Sequence, residues 1–289
     1  MKGWDRLVPK TAWGATWRAA LILVVAFAVD AFWLEPSSLR VAHHSIVLKR
    51  DDGKSFDRLR IAVIADIHAG APYIDAHKVE KVVRLTNQER PDLILLAGDY
   101  VVRGVVGRHY MPIELIAPLL KPLHARLGVY AVIGNHDRWD NAERIARELE
   151  KAGITVLENR AVAVRNRGQT IYLAGIGDDY THAAKPALAL ASVPAGQPAL
   201  CLTHSPDIFP SLPATCLLTI AAHTHGGQVE LPLLGRLIVP SKYGWRYAAG
   251  TIHEQDRYMF ASTGIGTSMI PVRFRVPPEI SILDLRADD

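Results

Sequence analysis

Aspartate, histidine and asparagine recur at particular places in this 289-residue chain, each time just after a short aliphatic run. Asp66 and His68 follow Ile61 to Ala65, and Gly98-Asp99 follows Leu93 to Ala97. Gly134-Asn135-His136-Asp137 follows Val129 to Ile133, His204 follows Ala199 to Thr203, and His223 and His225 follow Leu217 to Ala221. Carboxylate and amide oxygens mixed with imidazole nitrogens suit borderline divalent ions such as Mn2+, Fe2+ or Zn2+. Asp66, His68, Asp99, Asn135, His204, His223 and His225 exceed what one ion needs. With one carboxylate shared they suffice for two ions about 3.5 to 4 Å apart, the arrangement that clamps the attacking and leaving oxygens of a phosphoryl displacement. Each fragment alone also fits a blander use: Asp-x-His as a turn with a helix cap, His204 as a hydrogen-bonded core histidine. The ordered combination of all five does not.

Such residues meet only if the elements before them bring them together. Runs this short and this rich in Val, Ile and Leu are read as buried strands, with a further one at Ile171 to Ala174. Helices fit Ala76 to Glu89, Ile113 to Leu120 and Asn141 to Lys151, the last with Asp140 as N-cap and Gly153 as its stop. The alternation gives an α/β core, in which side chains at the carboxyl ends of neighbouring strands converge on one crevice. Strands at Thr155 to Leu157, Val162 to Arg165, Val229 to Leu231, Tyr258 to Ala261 and Ile280 to Leu285 are too closely spaced for a purely parallel sheet, so two layered sheets are expected. Asp178-Asp179, after the strand ending at Ala174, either reaches the site or forms a solvated turn, the second being favoured. Cys201 and Cys216 each lie in an apolar run and read as core residues, against a disulfide framework or a thiolate metal cage.

Residues 1–35 read as a signal anchor, 36–59 as a connector and 60–289 as the catalytic domain. Ala19 to Val29 is uninterrupted apolar, and after Asp30 the run continues to Leu34, preceded by Lys2, Arg6, Lys10 and Arg18. Sixteen helical residues span about 24 Å, short of the roughly 30 Å hydrocarbon core; Trp13, Trp17 and Trp33 at the interfaces and a snorkelling Arg18 would lengthen the span. Ala26 and Ala28 keep a cleaved signal open, and a helix lying on the membrane is a third reading. Basic residues on the N-terminal side favour an outward, periplasmic catalytic domain, although Arg40, Lys49 and Arg50 lie on the other flank. The connector carries a turn at Asp51-Asp52-Gly53 and one strand, Ser45 to Leu48. Mean hydropathy is +0.10 and the net charge +4. Residues 1–60 hold ten Lys/Arg against six Asp/Glu, which leaves 23 against 23 for the rest. The surplus lies in the leader, so the charge points to no nucleic acid.

The ordered blocks resemble those of the calcineurin-like metallophosphoesterases: Asp-x-His, Gly-Asp, Gly-Asn-His-Asp, a lone His and His-x-His. The resemblance runs from about Arg60 to Leu285. His223 to Val229, Tyr243-Gly244, Ala249-Gly250 and the stretch from Ser262 with Pro271, Arg273, Pro278 and Glu279 are similar to the membrane-associated bacterial subgroup, which includes phosphodiesterases and UDP-2,3-diacylglucosamine pyrophosphatases of lipid A synthesis. The resemblance implies a four-layer α/β/β/α sandwich of two mixed sheets, behind an N-terminal membrane-anchor helix in the bacterial inner membrane. It implies that Asp66, His68 and His225 hold one divalent ion, that Asn135, His204 and His223 hold the other, and that Asp99 bridges them. Mn2+ is the preferred ion, with Fe2+, Zn2+ or Mg2+ as alternatives. His136 would meet the phosphate and protonate the leaving group; Arg273 is a candidate phosphate binder or else a plain surface ion pair. Three positions depart from the family pattern. Ala222 stands for a Gly; Val102 stands where many relatives have an Asp that orients the motif His, so His136 either has another orienting group or serves mainly as a phosphate donor rather than a general acid; Thr263 stands where relatives often have Arg.

The expected reaction is metal-dependent hydrolysis of a phosphodiester or pyrophosphate by a monomer. A membrane leader beside the site favours a lipid-linked phosphate such as UDP-2,3-diacylglucosamine, although that precursor is cytoplasmic and an outward-facing domain would count against it. The segment Tyr100 to Leu127 is either an apolar lid for acyl chains or a packed crossover helix. A phosphodiesterase of a small substrate and a metal-binding scaffold without catalysis are the competing readings.

Overall fold

The computed structural model describes residues 10–49 and 53–288. Lys2, Arg6 and the Asp51-Asp52 portion of the expected turn lie outside them, as do the side chains of residues 10–15, including Trp13.

Among the described residues twelve strands make two six-stranded sheets. In chain order they are β1 (Arg40–Leu48), β2 (Arg60–Ile64), β3 (Leu93–Leu96), β4 (Val129–Ala131), β5 (Thr155–Val156), β6 (Arg160–Asn166), β7 (Gln169–Gly175), β8 (Ala199–Leu202), β9 (Cys216–Ala221), β10 (Gly250–Glu254), β11 (Arg257–Ala261) and β12 (Glu279–Ala287). The first sheet runs β1-β12-β2-β3-β4-β5 and the second β10-β11-β9-β8-β7-β6. Strands β2 to β5 are mutually parallel, as are β7 to β9, while β12 is antiparallel to β2 and hairpins close both edges of the second sheet.

Side-chain alternation assigns the faces. Ile61, Val63, Leu93, Leu95, Leu283 and Leu285 of the first sheet meet Leu200, Leu202, Leu218 and Ile220 of the second in a dry core between the sheets. The intervening residues Ala62, Ile64, Ile94, Leu96, Ile280 and Ile282 face outward. They are covered by helices α2 (Ala76–Gln88), α3 (Ile113–Leu120) and α5 (Ala142–Lys151), which follow α1 (Lys10–Val29) and enclose the short α4 (Asn135–Asp140). Burying each such aliphatic side chain contributes about 1.5–3 kcal/mol. Over the outer face of the second sheet the covering layer is thin, made of the short turns Pro186–Ala189 and Pro206–Ser211.

Several expectations are corrected. The connector strand starts at Arg40, and all nine of its residues pair with β12, so this stretch belongs to the first sheet. The N-cap of α5 is Asn141, whose side chain accepts from the Arg144 amide at 2.9 Å; Asp140 instead holds Arg103 and Arg144. Val229 and Leu231 make only isolated bridges, to Phe274 and Gly235, and the edge strand is β10. The segment 100–127 is a packed crossover, with Ile113, Ile116 and Leu120 in the core. Cys201 and Cys216 are buried, but they are bonded to each other as a disulfide, with Cα atoms 5.6 Å apart. Their runs are neighbouring strands, and Cys216 lies opposite Ala199, two residues along the same face from Cys201.

Among the described residues one helical stretch, Thr16–Ser37, is long and apolar enough to cross a membrane. Its 22 residues span about 33 Å, enough for the roughly 30 Å hydrocarbon core. Helical hydrogen bonding continues past α1 through a π-helical turn at Asp30–Leu34, so the span is longer than the apolar count alone. The second half of this stretch, from Phe27 to Glu35, is fixed to the loop 268–276. The Phe27 ring packs on Phe274 at 4.7 Å, the Arg273 amide donates to Ala31 O at 2.9 Å, and the Glu35 carboxylate accepts from the amides of Arg275 and Val276. Tyr73 Oη donates to Phe32 O at 2.6 Å, and Lys78 Nζ donates to Ser37 O and Ser38 O.

Candidate metal centre

The parallel strands β2, β3, β4, β8 and β9 all deliver their carboxyl ends to one cleft, as the rule for open α/β sheets requires. Chain leaving a strand must turn sharply there, and Asp66, His68, Asp99, His223 and His225 all have φ between 47° and 69°. Left-handed backbone at non-glycine residues costs free energy and clusters at functional sites. Close approach explains two glycines. A Cβ at Gly134 would stand 2.2 Å from Asp99 Oδ1, and one at Gly264, with φ +67°, would stand 2.6 Å from Asp66 Oδ2.

Asp99 lies at the middle. Its Oδ2 is 3.5 Å from His68 Nε2 and 3.3 Å from His204 Nε2, and its Oδ1 accepts from the His136 amide at 2.9 Å. His204 Nε2 also lies 2.9 Å from Asn135 Oδ1, while its Nδ1 donates to Ala97 O at 2.7 Å. That second bond keeps a proton on Nδ1 and aims Nε2 into the cleft, so that loss of the Nε2 proton, which Asp99 holds there, would free a lone pair for a cation. His68 and His225 face each other with their Nε2 atoms 3.3 Å apart, and His225 Nε2 is 4.0 Å from Asp66 Oδ1. Both carboxylate oxygens of Asp66 accept from the His223 amide at 3.2 Å. All seven expected ligands are thus gathered in one buried cluster.

Burial sets the charges. It lowers His68 and His223 to about 3, and holds His225 well below and His136 below the ordinary imidazole range. Neutral imidazoles are the form that ligates metal. Burial also works against the Asp99 carboxylate, but the adjacent His204 outweighs it and keeps Asp99 well below the usual range. For His204 burial likewise opposes charge, and Asp99 holds it well above its ordinary value. Burial pushes Asp66 up to about 7.

Divalent cations fit this site on chemical grounds. Ligand atoms of Asp66, His68 and His225 lie within 4.8 Å of one another, as do those of Asp99, His204 and His223. Among the described residues, His223 Nε2 and the Nδ1 atoms of His68 and His225 are buried with no hydrogen-bond partner. A cation in the cleft would offset the desolvation cost of His223 Nε2 and of the His68 and His225 Nε2 atoms that face each other.

Arg273 does not enter the cleft. Its guanidinium is fully buried and donates to the carbonyls of Thr263, Gly264, Gly266 and Val276 at 2.6 to 3.2 Å. The expected phosphate contact is corrected, because those carbonyls occupy the planar fork. Arg273 instead braces the loop whose Gly264 and Gly266 press on Asp66 and His68. Asp178 is likewise no solvated residue, being buried and accepting from Tyr180 and Thr181.

Two contributions were not anticipated. The Asp137 carboxylate accepts from the amides of Gly134, Asp99, Tyr100 and Val101 at 2.8 to 3.2 Å, locking the β3 exit to the β4 exit. Its signal was the fourth residue of the Gly134 to Asp137 block. Exposed Trp139 and Tyr180 form an aromatic rim, 4.9 Å from His136 and 4.7 Å from His223 respectively, and 6.2 Å from each other. No motif marks these two.

Phosphodiesterase YaeI of Escherichia coli (strain K12) is 30% identical to this chain over 259 residues, covering 88% of this chain and 90% of the relative. The uncharacterized metallophosphoesterase YkuE of Bacillus subtilis (strain 168) is 28% identical over 263 residues, with 89% of each covered. UDP-2,3-diacylglucosamine pyrophosphatase LpxG of Chlamydia trachomatis serovar D is 26% identical over 305 residues, covering 86% of this chain and 90% of the relative. Residues 59–226, which carry every ligand from Asp66 to His225, match the calcineurin-like phosphoesterase family. This chain therefore belongs to the calcineurin-like phosphoesterases and is a metal-dependent hydrolase of phosphoric esters.

Proposed function

We propose that this chain, anchored by residues 16–37, hydrolyses a phosphodiester or pyrophosphate bond of a lipid-linked substrate at the bilayer surface. The observation that carries the reading is structural adjacency: the loop 264–276 presses on Asp66 and His68 at one end and holds the apolar helix at Ala31 and Glu35 at the other. The name of the relative LpxG supplies one candidate, UDP-2,3-diacylglucosamine. A buried Cys201–Cys216 disulfide supports an oxidising compartment, and with it the outward orientation favoured by the basic N-terminal flank, which counts against that cytoplasmic precursor and favours another lipid-linked phosphate.

Asp66, His68 and His225 are assigned to one cation, Asn135, His204 and His223 to the other, and Asp99, which stands between the two sets, to both. This mixed oxygen and imidazole set suits borderline divalent ions, of which Mn2+ is proposed first, with Fe2+, Zn2+ and Mg2+ as alternatives. Divalent cations in such a cleft supply Lewis acidity toward phosphoryl oxygens and acidify bound water. His136 accepts the Arg103 amide at Nδ1, so Nε2 carries the ring proton and donates toward a phosphoryl or leaving-group oxygen. Trp139 and Tyr180 limit water access on that side and offer flat surfaces to the substrate.

The test is hydrolysis of bis(p-nitrophenyl) phosphate by the full-length chain with Mn2+, wild type against Asp99→Ala. The variant should fall to background. Equal rates in both would support a metal-binding scaffold instead. UDP-2,3-diacylglucosamine and a panel of lipid phosphates then identify the substrate, and a preference for water-soluble diesters over all of them would favour the small-substrate reading.

A further inference from the structure

Scattered surface apolar side chains are ordinary, whereas a contiguous exposed group marks a contact face. Such a group lies beside the metal cleft. Ile238, Trp245 and Met269 are 80%, 78% and 70% exposed, and Leu233, Leu234, Leu237 and Ile270 are exposed with them. Backbone bonds tie the turn to the 268–274 loop, and Trp245 lines one shallow concavity with Leu234, Gly235 and Arg236. Leu231 and Gly235 exchange two hydrogen bonds of 2.9 Å, which sets Leu233 and Leu234 at the tip of a tight turn. Ile238 and Val239 lie over Gly227, two residues after the ligand His225. The Gln228 side chain bonds to Ser268 and Ile270, and the Gln228 and Glu230 main chain pairs with Phe274.

Phe274 in turn packs on Phe27. Phe27 precedes Ala31 by one helical turn, about 6 Å along the axis, and so lies within the apolar part of the span. The catalytic body therefore reaches the helix at the level where lipid would surround it. The basic residues nearest the turn are already paired, Arg236 with Glu230, Lys242 with Asp179 and Arg246 with Glu254. The face thus offers apolar area rather than free positive charge.

We propose that the turn 231–238, together with Trp245, Met269 and Ile270, is seated in the head-group and acyl boundary of the same bilayer that the N-terminal helix crosses, and holds the mouth of the metal cleft at phosphate depth. The proposal rests on the anchored, lipid-phosphate reading above. The occupant is the bilayer because the span and the face are joined through Phe27 and Phe274.

The test uses the full-length chain in phosphatidylcholine vesicles, with nitroxide labels introduced through Leu233→Cys, Ile238→Cys and, as a control on the β6–β7 turn, Arg167→Cys. The native cysteines are bonded to each other and do not take the label. Labels at 233 and 238 should collide with oxygen in preference to a water-soluble nickel reagent, at low and high salt alike, while the label at 167 does the reverse. Labels at 233 and 238 that behave like the one at 167 overturn the proposal, and crosslinks between copies at those positions would assign the face to a second copy of the chain.

A second variant, Leu233→Ser with Ile238→Ser, keeps the role in catalysis falsifiable. Hydrolysis of bis(p-nitrophenyl) phosphate should stay within about twofold of wild type, while hydrolysis of a vesicle-borne lipid diester falls about tenfold. Equal losses on both substrates overturn that role. A wild-type chain that hydrolyses neither, with labels in lipid, overturns the proposed function and leaves the membrane face standing.

Discussion

The backbone amide of Arg103 donates to Nδ1 of His136 at 3.0 Å, in place of the carboxylate that the family resemblance implies three residues after Asp99. That carboxylate position is Val102, which is fully buried in the core. A main-chain donor orients the ring as well as a side chain would, and it fixes the proton on Nε2. His136→Ala should lower kcat by about 10² to 10⁴ with the metal content unchanged. Elemental analysis beside kinetics checks this; loss of an ion in the variant would make His136 a ligand instead.

The same pair shows what the sequence carries and what it withholds. Strand ends that bear Asp66, Asp99, Asn135, His204 and His223 were readable because short aliphatic runs and sharp polar exits are local signals. The orientation of His136 came from a backbone amide, which has no residue type to read. Arg273 was misplaced for a related reason: its position in the Ser262 to Glu279 stretch suggested a substrate contact, while the carbonyls of Thr263, Gly264 and Gly266 that enclose it are supplied by main chain. The Cys201–Cys216 bond depended on strand adjacency, and the Trp139 and Tyr180 rim on loop folding, both of them long-range facts.

Asp99 stands between the two ligand sets, so its removal should act on both. In Asp99→Ala both ions should bind more weakly, whereas in His204→Ala one should remain. Stoichiometry by elemental analysis, after loading with Mn2+ and desalting, reads the difference. Chelation should lower the melting temperature of wild type, because ions that bind only the folded state stabilise it by mass action. Two ions retained in Asp99→Ala would refute its shared role.

Gly264 has φ +67° and no room for a side chain against Asp66. Gly264→Ala should therefore cost about 1 kcal/mol or more from backbone conformation alone, and should also displace the Asp66 carboxylate. Urea unfolding of the metal-free chain gives the first effect, and weakened Mn2+ binding gives the second. A variant with wild-type affinity for both ions would mean that the loop yields without moving Asp66.

Glu279 links the start of β12 to β1, accepting from Arg40 at 2.7 Å, Ser281 at 2.7 Å and His44 at 2.9 Å. Burial opposes its charge, but the bonds from His44, Ser281 and Arg40 win and keep it below the usual value of 4.5. A depressed carboxylate binds fewer protons folded than unfolded. Its contribution is therefore present above about pH 4.5 and is lost as pH falls through the folded value. Glu279→Gln should lower stability at neutral pH by about 1–3 kcal/mol and flatten the acid limb of the stability curve. An acid limb as steep as that of wild type would assign the pH dependence to other carboxylates.

Arg273 provides the sharpest contrast between a brace and a substrate contact. Burial lowers it to about 10, which still leaves it protonated at neutral pH, and its charge is distributed over carbonyls of the loop that holds Asp66, His68 and the N-terminal helix. Arg273→Leu strands those carbonyls in a buried setting, and should cost about 3 kcal/mol or more of stability together with affinity for the ion at Asp66. Arg273→Lys should lose much of the same stability, since one ammonium cannot reach carbonyls on both sides of a planar fork. A phosphate-binding arginine would behave in the opposite way, with KM raised and the denaturation midpoint unchanged in both variants.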